Sequence, residues 1–367
     1  MEGDKHMLVT LAQYAQTHER SRSDIRKLVG SGGFKTARII GDRWFVDTEE
    51  ACPDTPRKKV EHYTVISLFS GCGGMDLGFL GGFRFLGTEY RETGFRIVWA
   101  NDINPEACKT YRQNLGHCIV EGDIREKINN LPEKADVIIG GFPCQDISIN
   151  GKMLGINGKR SSLYSYMVEA IGLVHPKVFV AENVAGLLLK ANSYSFRKVM
   201  DDFLSLGYNV SYCLYHAEEY GVPQTRDRVF IVGTDQGLPE FVPPVPTTSN
   251  APVTAKTALE DLENRAEDKA FSHIWSKANV SGEQGNRRMV ADRPGYTIRA
   301  ECHGNIQFHY SLPRRISMRE AARIQSFPDT FVFPCGLRST ERQIGNAVPP
   351  VLGWHIANSV KKVLQGD

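Results

Sequence analysis

Five short apolar segments recur between residues 64 and 237, and helix-like segments lie between them. The apolar segments read TVISLF, FRIVWAND, ADVIIGGF, VFVAEN and RVFIVG, and the intervening ones include PEACKTYRQNLG, SSLYSYMVEAIGLV and YSFRKVMDDFLSLG. Strands that alternate with helices form a mostly parallel sheet with both faces covered. We therefore predict an α/β, doubly wound fold, in which ligands bind at the carboxyl ends of the strands.

The N-terminal residues 1–57 look separate from this pattern. Two helix-like stretches precede an alternating stretch that turns at Gly41-Asp42, which predicts a small α+β module of the winged helix-turn-helix type and a linker. Seven basic and three acidic residues lie between Glu19 and Arg43. Two interpretations stay open, namely a DNA-binding module and a packing or dimerisation domain with a solvated face.

Composition excludes several classes of protein. The net charge is +2, so any attraction to nucleic acid must come from a local patch. Eight cysteines include no CxxC pair, which predicts neither a zinc site nor any other metal site. The chain has no run of 18 apolar residues and no secretion signal, so we expect a cytoplasmic protein with reduced cysteines and no membrane contact.

The first predicted strand leads into FSGCGGMDLGF, a glycine-rich turn from Phe69 to Phe79. Glycines let the backbone turn tightly and approach a ligand closely, although a purely structural turn explains them equally well. Asp102 follows the second strand and Asp123 lies in EGDIR near the same edge. Acidic groups at such strand ends accept hydrogen bonds from ribose hydroxyls, so the set predicts an adenosine-containing cofactor.

The third strand ends in the sequence GGFPCQ, which places Cys144 at the mouth of a loop. A cysteine is a nucleophile as its thiolate, and a thiolate needs an exposed or electropositive setting of this kind. The other candidates, Cys108, Cys118 and Cys213, lie within helix or strand patterns and are predicted to be packing residues. Cys144 is therefore the predicted nucleophile.

A carboxyl and two guanidinium groups follow at the next two strands. Glu182 ends the fourth strand, where it would have a raised pKa and share a proton with a ring nitrogen, or else cap a helix. Arg226 and Arg228 precede the fifth strand, and their spacing points them the same way, as a clamp for a phosphate or a base oxygen. These groups suit addition to an electron-poor ring.

Seven sequence motifs occur in a characteristic order along the chain. They are FSGCGGMDLGF, GDI, GGFPCQDIS, ENVAGL, QTRDRVFIVG, RRISMREAARIQSFPDTF and RQIGNAVPP. In this order they resemble the motifs of bacterial-type DNA (cytosine-5) methyltransferases, over about residues 63–365. The resemblance implies a Rossmann-like methyltransferase fold, S-adenosyl-L-methionine as cofactor and double-stranded DNA as substrate.

The resemblance also implies which residues bind the cofactor. They are Phe69, Gly71, Gly73, Gly74, Asp102, Ile103, Asp123, Ile124, Pro143, Leu163, Asn346 and Ala347. Asp102 would hold the ribose with Ile103 on the adenine face, and Asp123 and Ile124 would flank the adenine edge. Because Asn346 comes from the last motif, the C-terminal segment must return to the first sheet.

The implied reaction begins with a target cytosine flipped out of the duplex. Cys144 would add to C6, Glu182 would hold or protonate N3, and C5 would then take the methyl group. Arg226 and Arg228 would hold the base oxygen and nearby phosphates. Gln145 and Ser148, on the loop after the nucleophile, would contact the DNA.

The stretch after Gly237 breaks the strand–helix alternation and is rich in Pro, Thr and Ser. Six arginines and two acidic residues lie between Gln284 and Arg315, which favours a target-recognition region. The predicted DNA contacts there are Arg287, Arg288, Arg299, His303, Asn305 and Gln307. The predicted domains are 1–57, 58–237 (catalytic), 238–312 (recognition) and 313–367 (returning segment).

The family also implies a biological setting. We expect a monomer that protects host DNA, associated with the nucleoid through its substrate, beside a restriction endonuclease that acts on the same site without a stable complex. Two alternatives stay open, a non-enzymatic DNA-binding autoregulator and an RNA cytosine-5 methyltransferase. An NAD-dependent oxidoreductase is disfavoured because GxGxxG is absent from the turn and Pro-Cys-Gln is present.

Overall fold

The computed structural model describes residues 7–18, 22–30, 32–40, 43–52, 62–142, 163–277, 287–300 and 307–366. The chain divides into two compact units, residues 1–61 and 62–367. No helix within the described residues is long and apolar enough to span a membrane.

The N-terminal unit combines a three-stranded antiparallel sheet with two helices. Its elements are β1 (Leu8–Thr10), α1 (Leu11–Thr17), α2 (Arg22–Gly30), β2 (Arg38–Ile40) and β3 (Arg43–Asp47). The strand order is β1-β3-β2. Buried side chains of both helices pack with Phe34 and Val46 into a core that belongs to this unit.

The first helix is shorter than its apolar spacing predicts. Leu8–Thr10 pair with β3 as a strand, and the helix begins at Leu11. The Thr10 N–H donates to Oε1 of Gln13 at 3.1 Å, and the Gln13 N–H donates to Oγ1 of Thr10 at 3.4 Å. This reciprocal cap fixes the start of the helix at the Thr-x-x-Gln sequence.

The second unit is built on a seven-stranded sheet and a two-stranded hairpin. Its strands are β4 (Tyr63–Leu68), β5 (Phe83–Phe85), β6 (Thr88–Tyr90), β7 (Phe95–Asp102), β8 (Ile119–Glu121), β9 (Val137–Gly141), β10 (Val178–Val184), β11 (Asn209–His216) and β12 (Asp227–Thr234). The main sheet has the order β11-β12-β10-β9-β4-β7-β8, and β5 pairs with β6. Five adjacent strands, from β10 to β8, are parallel, which confirms the predicted mostly parallel sheet.

Helices cover both faces of this sheet, as predicted. They are α3 (Gly74–Leu80), α4 (Pro105–Leu115), α5 (Ile124–Lys127), α6 (Leu163–Val174), α7 (Ser193–Leu204), α8 (Ala255–Leu259), α9 (Met318–Ile324), α10 (Leu337–Asn346) and α11 (Pro350–Gln365). Val65 and Val137 point to a core shared with α3, α4 and α11. Their neighbours Ile66 and Ile138 point to a second core with α6 and α7. The alternation follows from the two-residue period of a strand.

The direction of β12 brings its first residues to the functional edge. Because β12 runs antiparallel to β10, it begins at the edge where the parallel strands end, with Arg228 opposite Val184. The predicted carboxyl, arginine and glycine-turn positions therefore meet at one edge even though one of their strands is reversed.

The segment 238–312 shares the core of the catalytic scaffold. Its buried side chains Ala255, Met289 and Ile298 belong to the cluster that packs under α3 and α11. Isolated bridges join Arg288 to Phe308 and Gln224 to Gly295. The described part of this segment is therefore fastened to the catalytic sheet and does not form a core of its own.

Helices α3 and α11 touch where each has a glycine, which yields a stability prediction. A Cβ at Gly78 would lie 2.6 Å from both the carbonyl carbon of Gly353 and the carbonyl oxygen of Pro350. We expect Gly78→Ala to lower the free energy of unfolding by about 1–3 kcal/mol, because backbone atoms must separate to admit the methyl group. Urea unfolding measures the loss.

The matched control for that change is Gly172→Ala in α6. The nearest atom to a Cβ there is Cδ2 of Leu206, at 3.6 Å, which is ordinary contact. Alanine should leave stability unchanged or raise it by up to about 1 kcal/mol through helix propensity. Equal losses at the two glycines would contradict the packing explanation.

Candidate active site

The glycine-rich turn after β4 is a close-packed cradle. Gly71 and Gly73 have φ values of 56° and 92°, and Phe69 shares this left-handed region at 55°. A Cβ at Gly74 would collide with the carbonyl oxygen of Val348 and lie 3.0 Å from Cβ of Ala347. The turn therefore requires glycine, and the last motif does return to the first one as predicted.

Asp102 ties the glycine turn to the end of β7. Its carboxylate accepts hydrogen bonds from the N–H groups of Gly71 and Asn104, both at 2.8 Å. Burial raises the pKa of Asp102 although both hydrogen bonds oppose the shift. Beside it Ile103 is 64 % exposed, which leaves a bare aliphatic surface next to the carboxylate. This pairing suits a ribose and a flat base.

Two neighbouring residues, Asp123 and Ile124, follow at this edge of the sheet and have different surroundings. Asp123 caps α5, and its carboxylate accepts from the backbone N–H and the guanidinium of Arg125, which lowers the pKa of Asp123. The Ile124 side chain is 3 % exposed and lies in the core under α6. Ile124 can therefore flank the adenine edge only through its backbone N–H at the start of the helix, and this role stays a prediction.

The remaining cofactor residues lie partly within the described chain. Leu163 is half-buried at the start of α6, Asn346 is exposed at the end of α10, and Ala347 is half-buried after it. Pro143 lies outside the described residues, together with the nucleophile candidate Cys144 and the loop residues Gln145 and Ser148. Their roles stay predictions.

The described chain does fix where the Cys144 loop begins. Strand β9 ends at Gly141 opposite Glu182, and a Cβ at Gly141 would lie 2.8 Å from Oε2 of Glu182. Phe142 is buried, and its carbonyl accepts from the Asn183 side-chain amide at 2.9 Å. The loop that carries Cys144 therefore starts beside the Glu182 carboxylate.

Glu182 and Arg228 form a nearly buried ion pair at this edge. The Arg228 Nε lies 2.7 Å from Oε1 of Glu182, and the side chains are 12 % and 11 % exposed. Burial raises the pKa of Glu182, while Arg228 and Arg226 act in the opposite direction. A buried carboxyl whose pKa is raised and which lies beside two arginines is suited to take up and release a proton, as an acid–base group must.

Arg226 has a different role from the predicted clamp on a base or phosphate. Its side chain is 1 % exposed, and the guanidinium donates to the carbonyl oxygens of Ile298, Gly345 and Ala347 at 2.9, 2.9 and 3.1 Å. A group enclosed in this way does not reach a phosphate. The prediction of a direct substrate contact is therefore corrected for Arg226.

The predicted DNA-contacting residues divide into exposed residues and a buried one. Arg287, Arg288 and Arg299 are exposed. Gln307 is 1 % exposed, and its side-chain amide bonds both the N–H and the carbonyl of Tyr296 at 3.2 and 2.6 Å. Its predicted reading of bases is corrected, because the amide is used inside the fold. His303 and Asn305 lie outside the described residues.

The cysteines expected to pack do so to different degrees. Cys108 is buried, whereas Cys118 and Cys213 are half-buried. Burial raises the pKa of the Cys108 and Cys118 thiols. Neither thiol has the electropositive setting that would favour a thiolate.

Sequence reasoning missed a buried network under the glycine turn. Asp76 is 1 % exposed and accepts hydrogen bonds from Ser67 Oγ at 3.0 Å and from the Tyr111 hydroxyl at 2.8 Å. Ser70, inside the turn, donates to Ser67 Oγ at 2.9 Å. A charged residue within the otherwise apolar helix stretch MDLGF was the available signal.

Burial raises the pKa of Asp76 to about 6, which predicts a pH effect on stability. The folded protein holds this proton more tightly than the unfolded chain, so stability is lost as pH rises from about 4 to about 6. We expect Asp76→Asn to remove a loss on the order of 2 kcal/mol, at about 1.4 kcal/mol per pKa unit. Urea unfolding of both proteins at pH 4 and pH 7 measures the difference.

Asp202 provides the matched control for the Asp76 prediction. It also accepts from a tyrosine hydroxyl, that of Tyr164, at 2.8 Å, but its side chain is 33 % exposed. We expect Asp202→Asn to keep the loss of stability between pH 4 and pH 7 that we assign to Asp76. An unchanged pH dependence in Asp76→Asn would show that Asp76 is not the responsible group.

Comparisons with known proteins show which proteins this chain is similar to. The profile of the C-5 cytosine-specific DNA methylases matches residues 63–286 and 272–362. The Type II methyltransferase M.NgoFVII of Neisseria gonorrhoeae is 38 % identical over 83 % of this chain and 87 % of its own length. The Type II methyltransferase M.FnuDI of Fusobacterium nucleatum is 34 % identical over 82 % and 94 %. The Dnmt2 methyltransferase of S. pombe has the same fold, with a TM-score of 0.60 and 19 % identity over 83 % of this chain and 99 % of its own.

Proposed function

The chain belongs to the C-5 cytosine-specific DNA methylase family, and we propose that it methylates C5 of cytosine within one short duplex sequence. The observation that carries this proposal is the Glu182–Arg228 pair, which lies beside the end of β9 where the Cys144 loop begins. Its relatives M.NgoFVII and M.FnuDI are Type II methyltransferases. We therefore place its activity in a restriction-modification system that protects host DNA.

The described residues suit S-adenosyl-L-methionine as the cofactor. At Gly71 the turn leaves open space in which a ligand could approach its backbone, Asp102 offers a carboxylate for ribose hydroxyls, and Ile103 offers an apolar surface for adenine. Ala347 lies against the glycine turn, and we propose that Asn346 and Ala347 close the pocket from the C-terminal segment. When bound, the cofactor supplies an electrophilic methyl group.

The chain's own side chains would prepare the cytosine ring to accept that methyl group. The Cys144 thiolate forms a bond to C6 of the flipped base, and the electron pair of the C5–C6 double bond moves toward C5. Glu182 donates a proton to N3, which makes the ring electron-poor enough for this addition. Arg228 fixes the Glu182 carboxyl and faces the base oxygen from the same edge. Once C5 carries the methyl group, a water molecule removes the C5 proton, and its electron pair re-forms the C5–C6 double bond. Cys144 then leaves C6 as the thiolate, and N3 returns its proton to Glu182.

The exposed arginines of the recognition segment provide local positive charge on a chain that is nearly neutral overall. We propose that Arg287, Arg288 and Arg299 contact the DNA, together with His303 and Asn305. The protein would act as a monomer in the cytoplasm, with an endonuclease that recognises the same site independently.

The deciding experiment is transfer of a labelled methyl group from S-adenosyl-L-methionine to three substrates: duplex DNA, single-stranded DNA and transfer RNA. We expect label in duplex DNA, and mapping of the modified base should give one short recurrent sequence. Label in RNA with none in DNA would replace this proposal with the RNA methyltransferase alternative. No label in any substrate, with DNA binding intact, would favour the regulator.

The N-terminal unit supports a second candidate function as a separate DNA-binding module. It has its own core, and the basic side chains of Arg26, Lys35 and Arg38 are exposed. We expect the full-length double variant Arg26→Ala, Arg38→Ala to lose binding to DNA that lacks methylation sites, with methyl transfer unchanged. Unchanged binding in that variant would leave this unit with a packing role.

A further inference from the structure

The loop before β12 is paired with the recognition segment. Thr225 N–H donates to the Gly295 carbonyl at 2.8 Å, and Gly295 N–H donates to the Pro223 carbonyl at 2.9 Å. Ile298 N–H donates to Oε1 of the buried Gln224 at 2.9 Å. This ladder sets residues 295–298 firmly against the loop that leads to Arg228.

The same segment touches the wall of the cofactor pocket. A Cβ at Gly345 would collide with the carbonyl of Arg299 and lie 2.5 Å from the amide nitrogen of Ala300. Gly345 directly precedes Asn346 and Ala347, which the proposed function assigns to the cofactor. The backbone of the DNA-contacting Arg299 and the cofactor wall are therefore in direct contact.

Arg226 lies where these parts join. One guanidinium nitrogen, Nη1, holds the Ile298 carbonyl of the recognition segment. The other, Nη2, holds the Gly345 and Ala347 carbonyls of the cofactor wall. Two residues along the chain, Arg228 holds Glu182. A planar fork with fixed donors keeps such acceptors in one relative geometry.

We propose that Arg226 is a positioning residue that couples recognition of the DNA target to binding of the cofactor. The inference rests on the proposed function. Movement of residues 298–299 when DNA binds is transmitted through the guanidinium to Gly345 and Ala347, and cofactor binding is transmitted the other way. Coupling of this kind is reciprocal, so each ligand tightens the other by the same factor.

The test measures that factor by titrating a labelled duplex, carrying the mapped methylation site, with and without saturating S-adenosylhomocysteine. We expect the product to tighten duplex binding by about tenfold in the wild type. Arg226→Lys keeps a basic donor side chain but lacks the fork, and we expect its coupling to fall below about twofold while each ligand alone binds within about threefold of wild type.

Arg319→Lys is the matched control. Arg319 is also fully buried and also donates to three backbone carbonyls, those of Phe271, Pro328 and Phe331, at 2.9, 3.0 and 2.7 Å. None of these carbonyls belongs to the cofactor wall or to residues 295–299. We expect Arg319→Lys to lower the thermal unfolding temperature and to keep the coupling.

Three results would each overturn the inference: coupling that is retained in Arg226→Lys, coupling that is lost equally in Arg319→Lys, or no coupling in the wild type. In each case, methylation of DNA by the wild type would still uphold the proposed function. A wild type that methylates no DNA overturns both. If Arg226→Lys does not fold, Gly345→Ala decides, because its methyl group separates the same two segments. Lost coupling in Gly345→Ala supports the inference, and wild-type coupling refutes it.

Discussion

Cys144→Ala is expected to abolish methyl transfer, with a fall in rate of about 10⁴-fold or more, because in the proposed mechanism no other group forms the bond to C6. Alanine removes the sulfur and leaves the aromatic ring of cytosine intact, so C5 never becomes a nucleophile. Binding of duplex DNA and of cofactor should persist, since the described part of both sites is built from other residues. Initial rates with labelled cofactor give the size of the loss.

The bond itself is tested with a duplex that carries 5-fluorocytosine at the target position. Release of Cys144 requires loss of a proton from C5, and fluorine in that place blocks the release. The wild type should therefore form a denaturant-resistant complex with this duplex, and Cys144→Ala should form none. Cys335→Ala, at a half-buried cysteine outside the site, is the control and should behave as the wild type. A complex formed by Cys144→Ala would assign the nucleophile to another residue.

Much of the fold, and the position of the site at the strand ends, could be predicted from the order of the strands and motifs. The apolar segments before Gly71, Asp102, Gly141 and Glu182 became the central parallel strands of the sheet. Buried strands read as apolar runs, so their ends, and the residues that follow, are visible in the sequence. Strand β11 is absent from the five predicted strands, although Cys213 within it is assigned to a helix or strand pattern. It lies at the edge of the sheet with most of its residues exposed, so no continuous apolar run marks it.

Burial of single polar residues was the part that sequence could not supply. Arg226 and Gln307 look like ligand-binding side chains, yet both are buried. Arg226 is held by segments far away in the chain, and Gln307 by Tyr296, 11 positions before it. The carbonyls that hold Arg226 belong to residues 72 to 121 positions later. Such enclosure depends on how remote segments meet, and no local pattern records it. Asp76 differs from these two residues because its place within an apolar stretch already indicates that it is buried. Only the fold shows its hydrogen-bond partners, Ser67 and Tyr111.

Glu182→Gln is expected to lower kcat by about 10²–10⁴-fold, the usual contribution of a general acid or base. The amide keeps an acceptor for Arg228 Nε and fills the same volume, so the pair at the sheet edge should survive. What is lost is the proton that, in the proposed mechanism, Glu182 gives to N3. Single-turnover rates separate this loss from any change in DNA affinity, which we expect to stay within about threefold.

The pH dependence separates acid catalysis from a structural role. Burial raises the pKa of Glu182, so its protonated form persists to higher pH than that of an exposed glutamate. Wild-type activity should fall on the alkaline side as Glu182 loses its proton, whereas the residual activity of Glu182→Gln should lack that fall. The same burial makes ionised Glu182 unfavourable in the folded protein, so stability is lost as pH rises, and the glutamine variant should be no less stable at pH 8. A variant with wild-type kcat, or one with the wild-type alkaline fall, would limit Glu182 to holding Arg228 in place.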